Sequence, residues 1–127
     1  MRYGIIGSRT FNDYEKLKEV LDRHKFISQI ISGGARGADS LAADYAHENS
    51  IPLLEFFPDW AKYPRTGGFV RNKQIVRSSD VIIAFWDNIS NGTKNSLDYA
   101  KKLNIKSIVI SFNTEITPNE EINLWQN

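Results

Sequence analysis

Three short stretches carry the residue types that hold phosphate: Gly7-Ser8-Arg9, Ser32-Gly33-Gly34-Ala35-Arg36-Gly37 and Asn91-Gly92-Thr93. Glycine lets the backbone curve tightly and lets a ligand approach it closely, because no Cβ is in the way. Where such a stretch runs into a helix, the unpaired N–H groups of the first turn and the helix dipole both face an incoming anion. Arg9, Arg36, Arg71 and Lys73 supply nearby cations. A guanidinium can fork two parallel hydrogen bonds onto one phosphate. Arg65 and Arg77 read instead as solvated surface residues.

Each of these residues also has a purely structural explanation. Asp39 and Ser40 fall in the first turn of the helix that follows the second stretch, where short polar side chains cap exposed N–H groups. Asp39 could also orient Arg36 or a ribose hydroxyl, and it is the weak candidate for a catalytic acid. Thr93, with Ser90 and Asn91, can cap a helix as readily as bind a phosphate oxygen. Trp60, Tyr63 and Trp86 could stack on a base, and Trp60, in a loop, has the least reason to be buried.

Several chemistries lose support. No Gly-Lys-Ser/Thr closes the glycine stretch, so it is not a Walker A loop, and the GxGxxG dinucleotide spacing is missing. His24 and His47 have no carboxylates at metal-ligand spacing, so neither a metal nor a cofactor is expected. Ser8, Ser32, Asp39, Asp80 and Asp87 are available for catalysis, but their spacing defines no nucleophile, base and orienter.

The elements that must position these groups alternate between strand and helix. Strands are expected at Arg2 to Ile6, Phe26 to Ile31, Ile51 to Phe57, Val81 to Trp86 and Ile105 to Phe112. Between them, helices are expected from Asp13 or Tyr14 to His24, from Ala38 to Asn49, from about Phe69 to Ser78, and after Gly92. Their inward faces are Leu17, Val20, Leu21 and His24; Leu41, Ala42, Tyr45 and Ala46; Phe69, Asn72, Ile75 and Val76; and Leu97, Ala100 and Leu103. The run VIIAFW at 81 to 86 is apolar without alternation, which marks a strand covered on both faces. The Pro58 to Gly68 segment reads as a long loop of the kind that carries function.

This pattern predicts an α/β fold: a Rossmann-like three-layer sandwich around a parallel sheet of about five strands in the order 3-2-1-4-5. Ligands in such sheets bind beyond the carboxyl ends of the strands, where the order reverses. That geometry would open all three stretches onto one edge.

At 127 residues the chain is expected to form a single domain, 1–127, with 113–127 as a C-terminal extension. Its 16 basic and 15 acidic residues leave a net charge of +1, so any anion must be held by a local cluster. That balance disfavours nucleic acid as a partner without removing it. The chain has no cysteine, no secretory leader pattern and no apolar run that would span a membrane. It reads as cytoplasmic. Ile122, Leu124 and Trp125 form a small apolar cluster that leaves a homodimer possible.

Taken together, GSRTF (7–11), SGGARGAD (32–39), FPDW (57–60), GGFVRNKQIVRSSD (67–80), IAFWD (83–87) and NGT (91–93) resemble the YspA/cpYpsA-related branch of the SLOG superfamily. These Rossmann-like domains are related to DprA and to the LOG phosphoribohydrolases. The resemblance spans about residues 3 to 112 and implies binding or sensing of a nucleotide or a nucleotide-derived phosphorylated ligand. By the same resemblance Gly7, Ser8 and Arg9 line a first loop, and Gly33, Gly34, Arg36 and Gly37 bind phosphate or ribose. Arg71 and Asn72 reach in from the third helix, and Gly92 and Thr93 close a second phosphate loop.

LOG enzymes place a glutamate three residues after the threonine of that last loop. Here Ser96 stands in its place, and a hydroxyl cannot stabilise the positive charge of a breaking N-glycosidic bond. Asp98 lies about 200° further round the helix. A nucleotide N-glycosidic hydrolase is therefore the alternative reading, with Asp39 as its acid. A DprA-like single-stranded DNA-binding or adaptor domain is the other.

Overall fold

The structure, a computed structural model, describes residues 1–112. Nine elements alternate along them: β1 (Arg2–Gly7), α1 (Tyr14–Asp22), β2 (Gln29–Ser32), α2 (Ala38–Glu48), β3 (Leu53–Glu55), α3 (Gly67–Ser78), β4 (Val81–Trp86), α4 (Asn91–Lys102) and β5 (Lys106–Ser111). The strands form one sheet in the order β3-β2-β1-β4-β5, and every pairing is parallel. The expected Rossmann-like α/β sandwich and strand order are both present. The expected 113–127 extension lies outside the described residues.

Alternation along β1 and β4 divides the core in two. Ile5, Ile83 and Phe85 pack with Leu17, Leu21, Ala42 and Ala46 of α1 and α2. Ile6, Ile82, Ala84 and Trp86 face the other way, against Ile75, Val76, Leu97 and Ala100 of α3 and α4. All six residues of β4 are buried, as an unalternating apolar run requires.

Several boundaries differ from the sequence expectation. β2 begins at Gln29 and not Phe26, because its partner β1 begins at Arg2 and the register pairs Arg2 with Gln29. Phe26 is left 80% exposed. β3 keeps only the three residues that find partners in β2. α1 stops before His24, whose ring nevertheless packs edge-on against Tyr3, at 5.1 Å between centroids.

α3 starts two residues earlier than expected, and its inward face differs from the expected one. Its buried residues are Gly67, Arg71, Ile75 and Val76. The spacing 67, 71, 75 is a helical stripe, and it brings an arginine into the interior while Phe69 is turned outward. In α4 the buried stripe runs through Thr93, Ser96, Leu97 and Ala100, and the helix ends at Lys102, so Leu103 is exposed.

Candidate functional site

The sheet order reverses between β1 and β4, and a cleft of about 390 Å³ opens beyond their carboxyl ends. Among its lining residues are Gly7, Ser8, Arg9, Asp39, Trp60, Arg71, Asn72, Gly92 and Thr93, all singled out from the sequence. Arg65, Phe69, Asp87, Ser90 and Ser96 join them. Arg65 had read as a surface residue. Its place in the cleft follows from the path of the loop before α3, which no local pattern encodes.

Four of the sequence candidates do not line the cleft. Arg36 is exposed outside it. Gly33, Gly34 and Gly37 shape the loop from behind. Gly37 has φ +77, and a Cβ there would fall 2.3 Å from the Ser8 carbonyl oxygen, so the glycine is what lets the first and second loops touch. The same contact is seen in the backbone, where Ala38 N donates to the Ser8 carbonyl at 3.3 Å. A Cβ on Gly33 would lie 2.6 Å from Arg71 Nη1 and 2.8 Å from Asp39 Oδ2. Two oppositely charged side chains therefore close over the second loop.

Arg71 is 8% exposed. Its Nη1 donates to the Gly33 carbonyl at 2.6 Å, and its Nε donates to Asn72 Oδ1 at 2.9 Å. With its oxygen so engaged, the Asn72 amide turns its nitrogen toward α4: Nδ2 lies 3.7 Å from where a Gly92 Cβ would be. Asp39 is also buried and accepts from Ala35 N at 3.1 Å. Burial raises its pKa, opposed by the N–H groups of Ala35 and Gly33 and by the Arg71 charge.

A second network fixes the far wall. The Ser8 hydroxyl accepts from Asp87 N at 3.0 Å and lies within hydrogen-bond distance of the Ser90 hydroxyl, at 3.1 Å. Asp87 Oδ1 accepts from Ile89 N and Ser90 N, and Oδ2 accepts from the Ser90 hydroxyl. Burial alone would raise the Asp87 carboxyl, but these hydrogen bonds outweigh it and hold the group below the usual carboxylate range. The Ser96 hydroxyl donates to the Gly92 carbonyl at 3.1 Å. Trp86 is buried and donates Nε1 to the Ser90 carbonyl, so it is not a stacking surface.

Helix capping separates the cleft from the rest of the molecule. α1, which does not reach the cleft, is capped by Asp13, whose side chain accepts from Lys16 N at 3.0 Å. α2, α3 and α4 all send first-turn residues to the cleft, and none has a side-chain cap. Among the described residues nothing accepts from the N–H groups of Asn91, Gly92 and Thr93. Arg9 and Arg65 have no ion-pair partner among the described residues either.

A sequence model of the YspA, cpYpsA-related SLOG family matches residues 4–63. The gene 61 protein of Mycobacterium phage D29 is 33% identical over 115 residues, covering 82% of this chain and 91% of that protein. The chain belongs to the YspA, cpYpsA-related SLOG family. No solved structure matches it. In this SLOG chain the family match covers β1 through β3, and the loop before α3 as far as Tyr63. Arg71, Asn72, Gly92 and Thr93 lie beyond it and are placed by the fold. Among the described residues of this SLOG protein, no group of three His, Asp or Glu side chains could hold a metal ion, and no helix is long and apolar enough to cross a membrane.

Proposed function

We propose that the protein binds a phosphorylated nucleotide or nucleotide derivative in the cleft between the ends of β1 and β4, with a phosphate at the N-terminus of α4. The observation that carries this reading is the capping contrast. The helix remote from the cleft caps its first turn with its own aspartate, whereas the three that open on the cleft have no side-chain cap. Backbone carbonyls take Ala38 N in α2 and Gly67 N in α3, and in α4 the N–H groups of Asn91, Gly92 and Thr93 have no acceptor among the described residues. Orphan N–H groups at a helix start favour an anion by direct hydrogen bonding and through the dipole.

In this reading Gly92 and Thr93 donate backbone N–H groups to the phosphate, and the Thr93 hydroxyl adds another contact. The Asn72 amide nitrogen, oriented by Arg71, donates from α3. Arg9 and Arg65 neutralise charge, and Gly7 and Ser8 shape the floor. Gly33, Gly34 and Gly37 act by allowing the second loop to fold against the first, with Arg36 at the outer margin. Asp39 holds that loop and opposes the Arg71 charge.

A second reading, hydrolysis of an N-glycosidic bond, has one observation in its favour. Asp39 lines the cleft, and its carboxyl is raised by burial, the condition a general acid needs.

Native mass spectrometry of protein purified without denaturant, together with thermal shift against a nucleotide panel, tests the binding reading. A ligand that binds only the folded state must raise its stability. A nucleotide-sized adduct, or a shift that shrinks in Arg9→Ala, is expected; no adduct and no shift with any nucleotide would refute the reading. Free base released from a nucleoside monophosphate, and lost in Asp39→Asn, would establish the second reading.

A further inference from the structure

The cleft is lined by polar side chains and by two aromatic rings. Trp60 and Phe69 both line it, and they remain 52% and 43% exposed. The Trp60 turn is held in place: Asp59 Oδ1 accepts from Lys62 N at 3.0 Å, the Asp59 carbonyl from Tyr63 N at 2.8 Å, and the Tyr63 carbonyl from Gly67 N at 3.0 Å. The indole lies over the two glycines that open α3. A Cβ on Gly67 would meet Trp60 Cε3 at 3.0 Å, and one on Gly68 would meet Cη2 at 3.7 Å.

The glycine pair therefore makes a seat for the indole, and the next residue on the helix is the second rim ring, Phe69. The sequence offers Trp60, Tyr63 and Trp86 for stacking and favours Trp60; Phe69, expected to face inward, joins it because α3 packs with that ring turned outward. Two large rings line one cleft and keep much of their surface open to a ligand. The side chains fixed deeper in the cleft are spent on the protein itself: Ser8, Asp87 and Ser90 on one another, Arg71 on Gly33, Ser96 on Gly92.

We infer that Trp60 and Phe69 form a stacking platform that recognises the face of a nucleotide base and not its hydrogen-bonding edge. The ligand is then a purine nucleotide, preferred over a pyrimidine by ring area, with adenine and guanine held about equally. This rests on the phosphate reading above. Stacking on an aromatic side chain is sequence-tolerant because every base has a π face, and larger rings cover more of the platform.

The test is calorimetric titration of the full chain with AMP, GMP, CMP, UMP and ribose 5-phosphate. AMP and GMP should bind within about threefold of each other, tighter than CMP and UMP, and about tenfold or more tighter than ribose 5-phosphate. Trp60→Ala and Phe69→Ala should each weaken AMP about tenfold and leave ribose 5-phosphate unchanged. Trp60→Phe, which keeps a ring, should retain most of the AMP affinity. Ribose 5-phosphate binding as tightly as AMP would overturn the platform while leaving the phosphate reading intact. AMP and GMP differing by about 100-fold would also overturn it, because that margin requires edge readout. Binding by none of the five would overturn both readings.

Discussion

Arg71 Nη1 donates to the Gly33 carbonyl at 2.6 Å, joining residues 38 positions apart and locking α3 onto the loop after β2. The same guanidinium holds the Asn72 carbonyl oxygen, so one buried cation fixes both the loop and the amide that faces α4. Arg71→Met should lower stability by about 2 kcal/mol, the usual worth of a hydrogen bond from a charged donor plus the penalty of an orphaned carbonyl. Urea denaturation measures this. Arg71→Lys should restore little, since an ammonium cannot reach both acceptors through a planar fork.

Gly37 and Gly34 both have positive φ, +77 and +68, yet they should respond differently to alanine. At Gly37 the new Cβ meets backbone, 2.3 Å from the Ser8 oxygen and 2.6 Å from Arg9. At Gly34 it meets the Phe57 ring, which is 63% exposed and can swing away. Gly34→Ala should cost about 1 kcal/mol of backbone strain, and Gly37→Ala about 3 kcal/mol or more. Equal losses in thermal denaturation would show that the two loops do not need their close approach.

Arg9 is exposed and without an ion-pair partner among the described residues, so Arg9→Ala should leave the melting temperature unchanged in the absence of ligand. Its affinity for a nucleoside monophosphate should fall about tenfold, the effect of losing one charge-assisted contact, and the salt dependence of binding should become shallower.

Asp39 is expected to shape stability against pH. Its carboxyl is raised in the folded protein, mainly by burial, so the native state holds the proton more tightly than the unfolded chain does. The contribution is complete below the unfolded value of roughly 3.9 and is lost as pH rises through the folded value. Relative to Asp39→Asn, the wild-type protein should lose stability over that window. Parallel urea titrations across mildly acidic pH would expose a flat difference if the carboxyl were not raised.

Ser32 ends β2 with a hydroxyl that is fully buried and has no hydrogen-bond partner among the described residues. Ser32→Ala removes an unsatisfied polar group and should raise stability by about 1 kcal/mol. A clear loss in chemical denaturation would mean that the hydroxyl is satisfied in solution.

Much of the scaffold was legible in the residues themselves. VIIAFW reads as a strand covered on both faces, the alternation of strand and helix favours a parallel sheet, and the order chosen to set strands one and four side by side is the one the structure has. The three glycine or small-residue stretches follow strands, so their arrival at one sheet edge was determined by topology. What local pattern could not supply was where side chains point once elements pack. α3 begins at Gly67 and not Phe69, and its packing buries Arg71, leaves Phe69 exposed and seats Trp60 on two glycines. Arg65 enters the cleft and Arg36 stays outside it because loop paths depend on contacts distant in sequence. Hydrophobic periodicity acts between near neighbours along the chain, whereas the Arg71–Gly33 bond, the Gly37–Ser8 contact and the uncapped helix starts come into being only when separate elements meet across the end of the sheet.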